Sequence, residues 1–228
     1  MAAGKSRYFR LGAIMLAVAL GGYAIWSYAT GWAPSRDEYP VQGVVVSEAN
    51  GKPEWSELAA TGVDFAYITA SEGASGRDRR FADNLDGVRQ AGIRYGALHH
   101  FDICRLASDQ ATLFMTTVPR SEQALPPAVQ LDFSETCNGR PNRALILSEL
   151  ATFLNQIEAH SGTPAILLLA KDFEEEYNVS SAIDRTVWLE GNWFLPDYSA
   201  RPWVMWTANK ARRIGGIDGP VRWAVVRK

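Results

Sequence analysis

Leu125–Phe133, LPPAVQLDF, is the stretch on which the reading of this chain turns. Two prolines end whatever precedes it, and a short apolar run then carries a single carboxylate, Asp132. Proline is tolerated at the mouth of a strand because its missing N–H lies outside the ladder. A carboxylate at the far end of a mostly buried strand is costly unless paired, which marks Asp132 as a site candidate.

Working outward, strands and helices alternate. Gly43–Ser47 is a β-branched run, and Glu54–Thr61 a short helix closed by Gly62. Val63–Thr69 reads as a strand, Arg80–Ala91 as a helix closed by Gly92, and Ile93–Phe101 as a third strand. A helix over Leu106–Val118 stops at Pro119, and LPPAVQLDF is the fourth strand. Asn142–His160 is a long amphipathic helix with Leu145, Leu147, Leu150, Phe153, Leu154 and Ile157 mostly on one face, and Pro164–Leu169 is a fifth strand. After Lys171 the rhythm changes. Thr186–Glu190, Pro202–Trp206 and Val221–Val226 read as strands, but their connections are too short or too glycine-rich for full helices. Alternation of this kind implies a parallel sheet. Eight candidate strands suggest an α/β, (β/α)8-like barrel whose outer helices are incomplete in the C-terminal third. A doubly wound open sheet is the alternative.

The N-terminus is organised differently. Lys5, Arg7 and Arg10 precede Leu11–Trp32, a run with no charged residue and long enough to cross a bilayer as a helix. The basic flank places residues 1–10 on the cytoplasmic side, and Trp26, Tyr28 and Trp32 suit the outer interface. Residues 11–32 therefore read as a transmembrane signal anchor, 33–40 (APSRDEYP for the linker) as a polar connector, and 41–228 as an exported domain. A cleaved signal peptide is the rival, since Ser27-Tyr28-Ala29 is a passable small-x-small site. The expected location is the inner, cytoplasmic membrane, single-pass, with the C-terminal domain periplasmic or extracellular. Two cysteines, Cys104 and Cys137, both fall in the exported part, where an oxidising compartment favours a disulfide between them. The formal net charge of −2 argues against nucleic acid as a partner.

In a barrel of this kind chemistry sits at the C-terminal ends of the strands. Those ends carry Ser47 and Glu48, Ser71 and Glu72, His99 and His100, Gln130 and Asp132, Trp188 and Glu190, and Trp206. There is no metal-like cluster of His or Cys: adjacent His99 and His100 point to opposite strand faces and cannot chelate one ion. There is no glycine-rich phosphate loop and no serine nucleophile elbow, so no cofactor is expected. Carboxylates beside tryptophan platforms most resemble a carbohydrate site, because glycosidic bonds are cleaved with carboxyl groups.

Several segments, in order, resemble glycoside hydrolase family 25, the Chalaropsis-type lysozymes or muramidases. Gly43-Val44-Val45-Val46-Ser47 resembles the family's opening GIDVS, and Trp55 its IDW tryptophan. Gly62–Ile68 and Ala70-Ser71-Glu72-Gly73 resemble GVxFAxIKATEG, with Phe81 and Asn84 following. Ala91-Gly92 and Gly96-Ala97-Leu98-His99 resemble AG…GAYH, Leu125-Pro126-Pro127 leads into the place of D-x-E, Trp203–Trp206 occupies WxFW, and Gly216–Gly219 the closing turn. The resemblance implies a barrel with few outer helices near its end, and peptidoglycan glycan strands as the ligand. It also exposes departures. Val45 stands for the opening aspartate, Gln130-Leu131-Asp132 for D-x-E, Leu98 and Leu167 for tyrosines, Thr207 for a glutamine, and Arg222 and Ala224 for the closing Asp and Asn.

The family's mechanism, as the resemblance implies it, has a glutamic acid protonating the leaving oxygen while an aspartate steadies the substrate's N-acetyl group. Asp132 is the candidate acid, one methylene short, with its carboxyl about 1.5 Å further back, a misplacement of the kind that costs about a hundredfold. Gln130 can orient an amide but cannot balance positive charge on the ring. Glu72, or Glu48, is the possible supporting carboxylate, and Ser47, His99, Gln130, Trp188 and Trp206 are the candidate sugar-binding residues. Each also has a structural reading: Asp132 as a strand-end cap, Glu72 as a loop-ordering acid, His99 as a hydrogen-bonded core residue, Trp188 and Trp206 as core, His160 as a surface cation at a helix end. Three functions follow: a membrane-anchored lysozyme-like domain that acts on or binds glycan strands with hydrolysis weakened or lost, a true muramidase using Asp132, or a protein-binding scaffold with no sugar site. Whether the chain is an enzyme is left open by Val45 and Gln130.

Overall fold

The computed structural model describes residues 3–134, 137 and 139–228, with side chains from residue 10 onward. Lys5 and Arg7 of the expected basic flank fall outside the described side chains. In chain order the elements are α1 (Ala3–Gly31), β1 (Val41–Val46), α2 (Trp55–Ala60), β2 (Phe65–Glu72), β3 (Gly76–Arg77), α3 (Phe81–Gln90), β4 (Arg94–His100) and α4 (Ala107–Thr117). There follow β5 (Ala128–Leu131), α5 (Arg143–Ser161), β6 (Ile166–Leu169), α6 (Lys171–Tyr177), α7 (Val179–Ala182), β7 (Thr186–Glu190), β8 (Met205–Arg212) and β9 (Val221–Val226).

The sheet runs β1-β9-β8-β7-β6-β5-β4-β2, with β3 appended to β2, and the β1–β2 pairing closes it into an eight-stranded barrel. The barrel is mixed, which corrects the all-parallel expectation: β9 is antiparallel to both β1 and β8. The reason is the connection. Only residues 213–220 separate β8 from β9, far short of the dozen or more that a parallel crossover needs. Of the last strands, β8 also begins later than expected. Pro202 and Trp203 precede it, and it runs on to Arg212 through two register shifts.

Side-chain alternation divides the core into two parts. One cluster fills the barrel: Val45, Phe65, Tyr67, Leu98, Ala128, Ile166, Leu168, Trp188, Met205 and Ala224. The other lies between barrel and helices and takes the alternate strand positions, such as Val44, Val129, Leu131, Leu167, Leu189 and Val225, together with the helix faces. Large rings fill the barrel by lying across glycines. A Cβ on Gly96 would meet the Tyr67 ring at 2.4 Å, and one on Gly43 the Phe65 ring at 2.6 Å. The Tyr67 hydroxyl reaches the Pro126 carbonyl at 3.0 Å, so its one polar atom is satisfied inside an apolar interior.

The helices follow their local signals. The Asn142 side chain caps α5 by accepting from Leu145 N at 3.0 Å, and Gly162 ends it in the left-handed region at φ 77°. The pair α6–α7 was not anticipated. Its acidic segment reads as polar, but Glu174 is buried and folds back to accept from Val179 N at 2.9 Å, Ser180 N at 3.1 Å and Ser180 Oγ at 2.5 Å. That one carboxylate caps α7 across the break at Asn178. Cys104 and Cys137 are joined, with Cα atoms 5.9 Å apart. They tie the β4–α4 loop to the segment after β5.

Candidate functional site

The barrel mouth is formed where the strands bring polar residues to their C-terminal ends. Inward alternation continues from the apolar filling: above Leu98 comes His100, above Ala128 come Gln130 and Asp132, above Trp188 comes Glu190, and beside Ala224 lies Arg222. Because β9 runs the other way, Arg222 enters the mouth from the start of its strand.

Arg222 organises this layer. Its Nη1 donates to Gln130 Oε1 at 2.6 Å and lies 3.7 Å from Glu190 Oε1. Gln130 Nε2 in turn donates to Asp132 Oδ2 at 2.5 Å. Glu190 is shared with Lys210, whose Nζ lies 2.8 Å from Oε2. Burial lowers the Arg222 pKa from its ordinary value, and the nearby carboxylates of Glu190 and Asp132 pull it back up. The Tyr198 hydroxyl lies 2.6 Å from Leu169 O and 2.9 Å from Glu190 O, with its one hydrogen shared between the two acceptors.

A cavity of about 350 Å³ opens beside this layer, walled by Ser47, Glu48, Thr69, Ser71, Glu72, Gly76, Arg77, Asp78, His100 and Arg222. Thr69 Oγ1 is buried there without a hydrogen-bond partner among the described residues. Asp78 anchors the rim by accepting from Glu48 N at 2.7 Å and Arg80 N at 2.9 Å. Burial raises its pKa and those backbone donors oppose the rise. Glu48 is held by Arg79 at 3.0 Å, and that hydrogen bond lowers its pKa. His100 is kept neutral, its pKa pushed down to about 3 by burial and by the Arg222 charge.

The structure sorts the sequence candidates. Ser47, Glu72 and Gln130 reach the mouth or its cavity, and Asp132 adjoins it through Gln130. His99 does not: it points outward, with no exposure, stacked on Phe153 at 4.7 Å. Its neighbour His100 is the one in the cavity wall, a position legible from the inward alternation of Gly96, Leu98 and His100. Trp188 is not a sugar platform; it fills the barrel centre, its Nε1 donating to Thr207 Oγ1 at 3.0 Å. Trp206 faces the other way, against Trp32 and Tyr39. Leu167 likewise packs toward the helices, whereas Val45, Leu98 and Ala224 of the replaced positions lie in the barrel filling and Arg222 at its mouth. His160 is not free at the surface: its Nε2 donates to Val118 O at 2.8 Å and its Nδ1 accepts from Arg120. Sequence reasoning missed Arg77 and Asp78, brought in by the β2–β3 hairpin, and Lys210 on the unforeseen extension of β8. The closest grouping of potential metal ligands among the described residues, Asp102, Cys104 and Cys137, has both sulfurs engaged in the disulfide.

The fold is thus a closed eight-stranded barrel with a polar, carboxylate-bearing mouth over an apolar filling. The family model of glycosyl hydrolases family 25 matches residues 44–217, and the chain belongs to that family. A family 25 glycosyl hydrolase from Bacillus anthracis superposes with a TM-score of 0.80 at 26% identity, covering 88% of this chain and 94% of that one. Lysozyme M1 of Streptomyces globisporus is 26% identical over 81% of this chain and 67% of its own length. The uncharacterized protein YegX of Escherichia coli K12 is 27% identical over 82% of this chain and 70% of its own.

Proposed function

We propose that this chain is a membrane-anchored family 25 domain that binds peptidoglycan glycan strands at its barrel mouth, with hydrolysis weakened or lost. The observation that carries the reading is the chain Arg222–Gln130–Asp132. The candidate acid is engaged by an amide, and a guanidinium occupies the place where the family resemblance sets a carboxylate.

Cleavage of a glycosidic bond develops positive charge on the sugar ring. A unit charge about 5 Å away, at an effective dielectric of about 20, is worth about 3 kcal/mol. Exchanging a helpful anion for a cation counts that energy twice, and Glu190 offsets part of it. Even half the exchange, about 3 kcal/mol, slows the reaction about a hundredfold. Binding is less affected, because a neutral sugar in its ground state carries no such charge, and the cavity beside Arg222 keeps Ser47, Thr69 and Arg77 as hydrogen-bonding groups.

Anchoring rests on α1. Arg10–Gly31 is 22 residues long with mean hydropathy 1.6, near the N-terminus, and none of it is buried in the protein. With the basic flank on the cytoplasmic side, the barrel lies in the periplasm, where the Cys104–Cys137 disulfide persists.

The test is co-sedimentation of the full-length, detergent-solubilised protein with purified sacculi. Retention is expected, reduced several-fold by Arg77→Ala together with Thr69→Val. No retention, at protein concentrations where a family lysozyme is retained, contradicts the reading and favours a scaffold without a sugar site.

A further inference from the structure

The end of α1 does not simply lead into the barrel; it is fastened to it. Trp32 packs on Trp206 at 6.5 Å, and Asn209 Nδ2 donates to Trp32 O at 3.0 Å and Ala29 O at 2.8 Å. Arg213 N donates to Thr30 O at 2.8 Å, and the Arg213 guanidinium lies 5.3 Å from the Trp26 ring. Going backward along the helix, from Trp32 to Trp26, the partners advance along β8 and one residue past its end, from Trp206 to Arg213. The helix therefore runs antiparallel to β8, and its N-terminal part leads away past the C-terminal end of that strand. That end is the barrel mouth.

Beside this junction the β7–β8 connection carries three consecutive apolar residues into solvent. Trp193 is 42% exposed, Phe194 80% and Leu195 54%. Their position is fixed. Trp193 takes up the left-handed region at φ 63°, its N donates to Ala208 O at 2.7 Å, and its Nε1 donates to Ala29 O at 3.2 Å. A left-handed backbone is strained for a tryptophan, and the two bonds hold it there. Between this loop and the helix lies an apolar cleft of about 310 Å³ walled by Ile25, Tyr28, Ala29, Trp32 and Trp193.

We infer that Trp193-Phe194-Leu195 is a membrane-seating loop that rests the rim of the barrel mouth on the outer leaflet of the bilayer. The inference rests on reading α1 as an uncleaved span. Twenty-two helical residues rise about 33 Å at about 1.5 Å each, which matches a hydrocarbon core of about 30 Å. Ala29 then sits at the outer interface, and the loop bonded to it lies at the same depth, where tryptophan is favoured. Phospholipid is the occupant because the patch is continuous with the lipid-facing helix. The cleft takes the upper part of an acyl chain, and Arg213 stands at headgroup level. A consequence is that the mouth opens close to the membrane, so the glycan it meets is the glycan next to the bilayer.

The test places a fluorescent label on single cysteines added to the full-length protein, native disulfide intact, in vesicles of phosphatidylethanolamine and phosphatidylglycerol. Phe194→Cys and Leu195→Cys report the loop, Ala19→Cys the span, and Glu122→Cys the opposite end of the barrel. The expected result is several-fold stronger quenching at 194 and 195 than at 122 by lipids spin-labelled near the headgroup, with shielding from aqueous iodide. If 194 and 195 are as open to iodide as 122 while 19 is quenched by lipid, the seating loop is wrong and the span stands. If 19 is not quenched by lipid, the span reading itself has failed and the inference falls with it. Quenching or shielding at 194 that disappears on dilution into excess lipid shows a second copy covering the patch, which also overturns the proposal.

Discussion

Acidification destabilises this fold through a histidine outside the mouth. His99 has no exposure and is stacked between Phe153 at 4.7 Å and the edge of Phe114 at 6.1 Å. Gln110 is oriented by the backbone, its Nε2 donating to Asp102 O and Arg105 O while its Oε1 accepts from Asp102 N. That fixes Oε1 toward His99 Nε2 at 3.3 Å, so Nε2 carries the proton and Nδ1 accepts from Ser71 Oγ at 2.9 Å. The neutral ring is fully satisfied, and burial pushes its pKa from 6.5 down to about 3, only partly opposed by the Gln110 bond. The folded state thus binds fewer protons than the unfolded chain below about pH 6.5. The His99 contribution is complete above that value and is lost as pH falls toward about 3. Between pH 7.5 and pH 5 the loss is about 2 kcal/mol. His100, lowered to a similar value, adds in the same direction. Urea unfolding of the full-length protein in detergent, followed by tryptophan fluorescence at several pH values, measures this directly. His99→Gln keeps hydrogen-bonding capacity and removes the titration, so its stability falls by about 2 kcal/mol less over the same interval. Equal pH slopes for wild type and His99→Gln refute the reasoning.

Three further outcomes follow from the same geometry. Replacing Cys104 and Cys137 by serine opens a loop of sequence separation 33 and costs about 3 to 4 kcal/mol on the chain-entropy scale, read as a drop in unfolding free energy at constant denaturant slope. Glu174→Ala removes the acceptor for Val179 N, Ser180 N and Ser180 Oγ, and lowers stability by about 2 to 4 kcal/mol in the same urea assay. Gln130→Asp with Asp132→Glu, combined with Arg222→Asp, raises release of reducing ends from peptidoglycan at least about a hundredfold over wild type, whereas the first two changes with Arg222 retained recover far less.

Much of the barrel was legible because its strands obey one rule. Alternation assigns Val45, Leu98, Trp188 and Ala224 to one face and Val44, Leu189 and Val225 to the other, and glycine or proline marks most boundaries. What the pattern did not carry was direction and distance. The return of β9 depends on a connection too short for a crossover, a constraint of length that the strand pattern does not express. Trp188 and Trp206 look alike as strand-end tryptophans, yet one fills the barrel centre and the other packs on Trp32 and Tyr39, elements far away in sequence. The motif likeness points to His99, whereas the inward series Gly96, Leu98, His100 points to its neighbour. The α6–α7 pair hid behind an acidic run because the buried role of Glu174 arises only from its fold-back onto Ser180. The mouth itself was half visible: Gln130, Asp132 and Arg222 were recognised as replacements, but their linkage into one hydrogen-bonded chain needs three strands brought together.

Hydrolysis of peptidoglycan tests the consequence of that linkage most directly. Purified sacculi are incubated with the full-length wild type and with Asp132→Asn, and muropeptides and new reducing ends are quantified in the supernatant. The expected result is retention on the sacculi, with release by the wild type at most about a hundredth of that by a family lysozyme. Release at lysozyme-like rates that Asp132→Asn abolishes would contradict it, and would make Asp132 a working general acid despite Gln130 and Arg222.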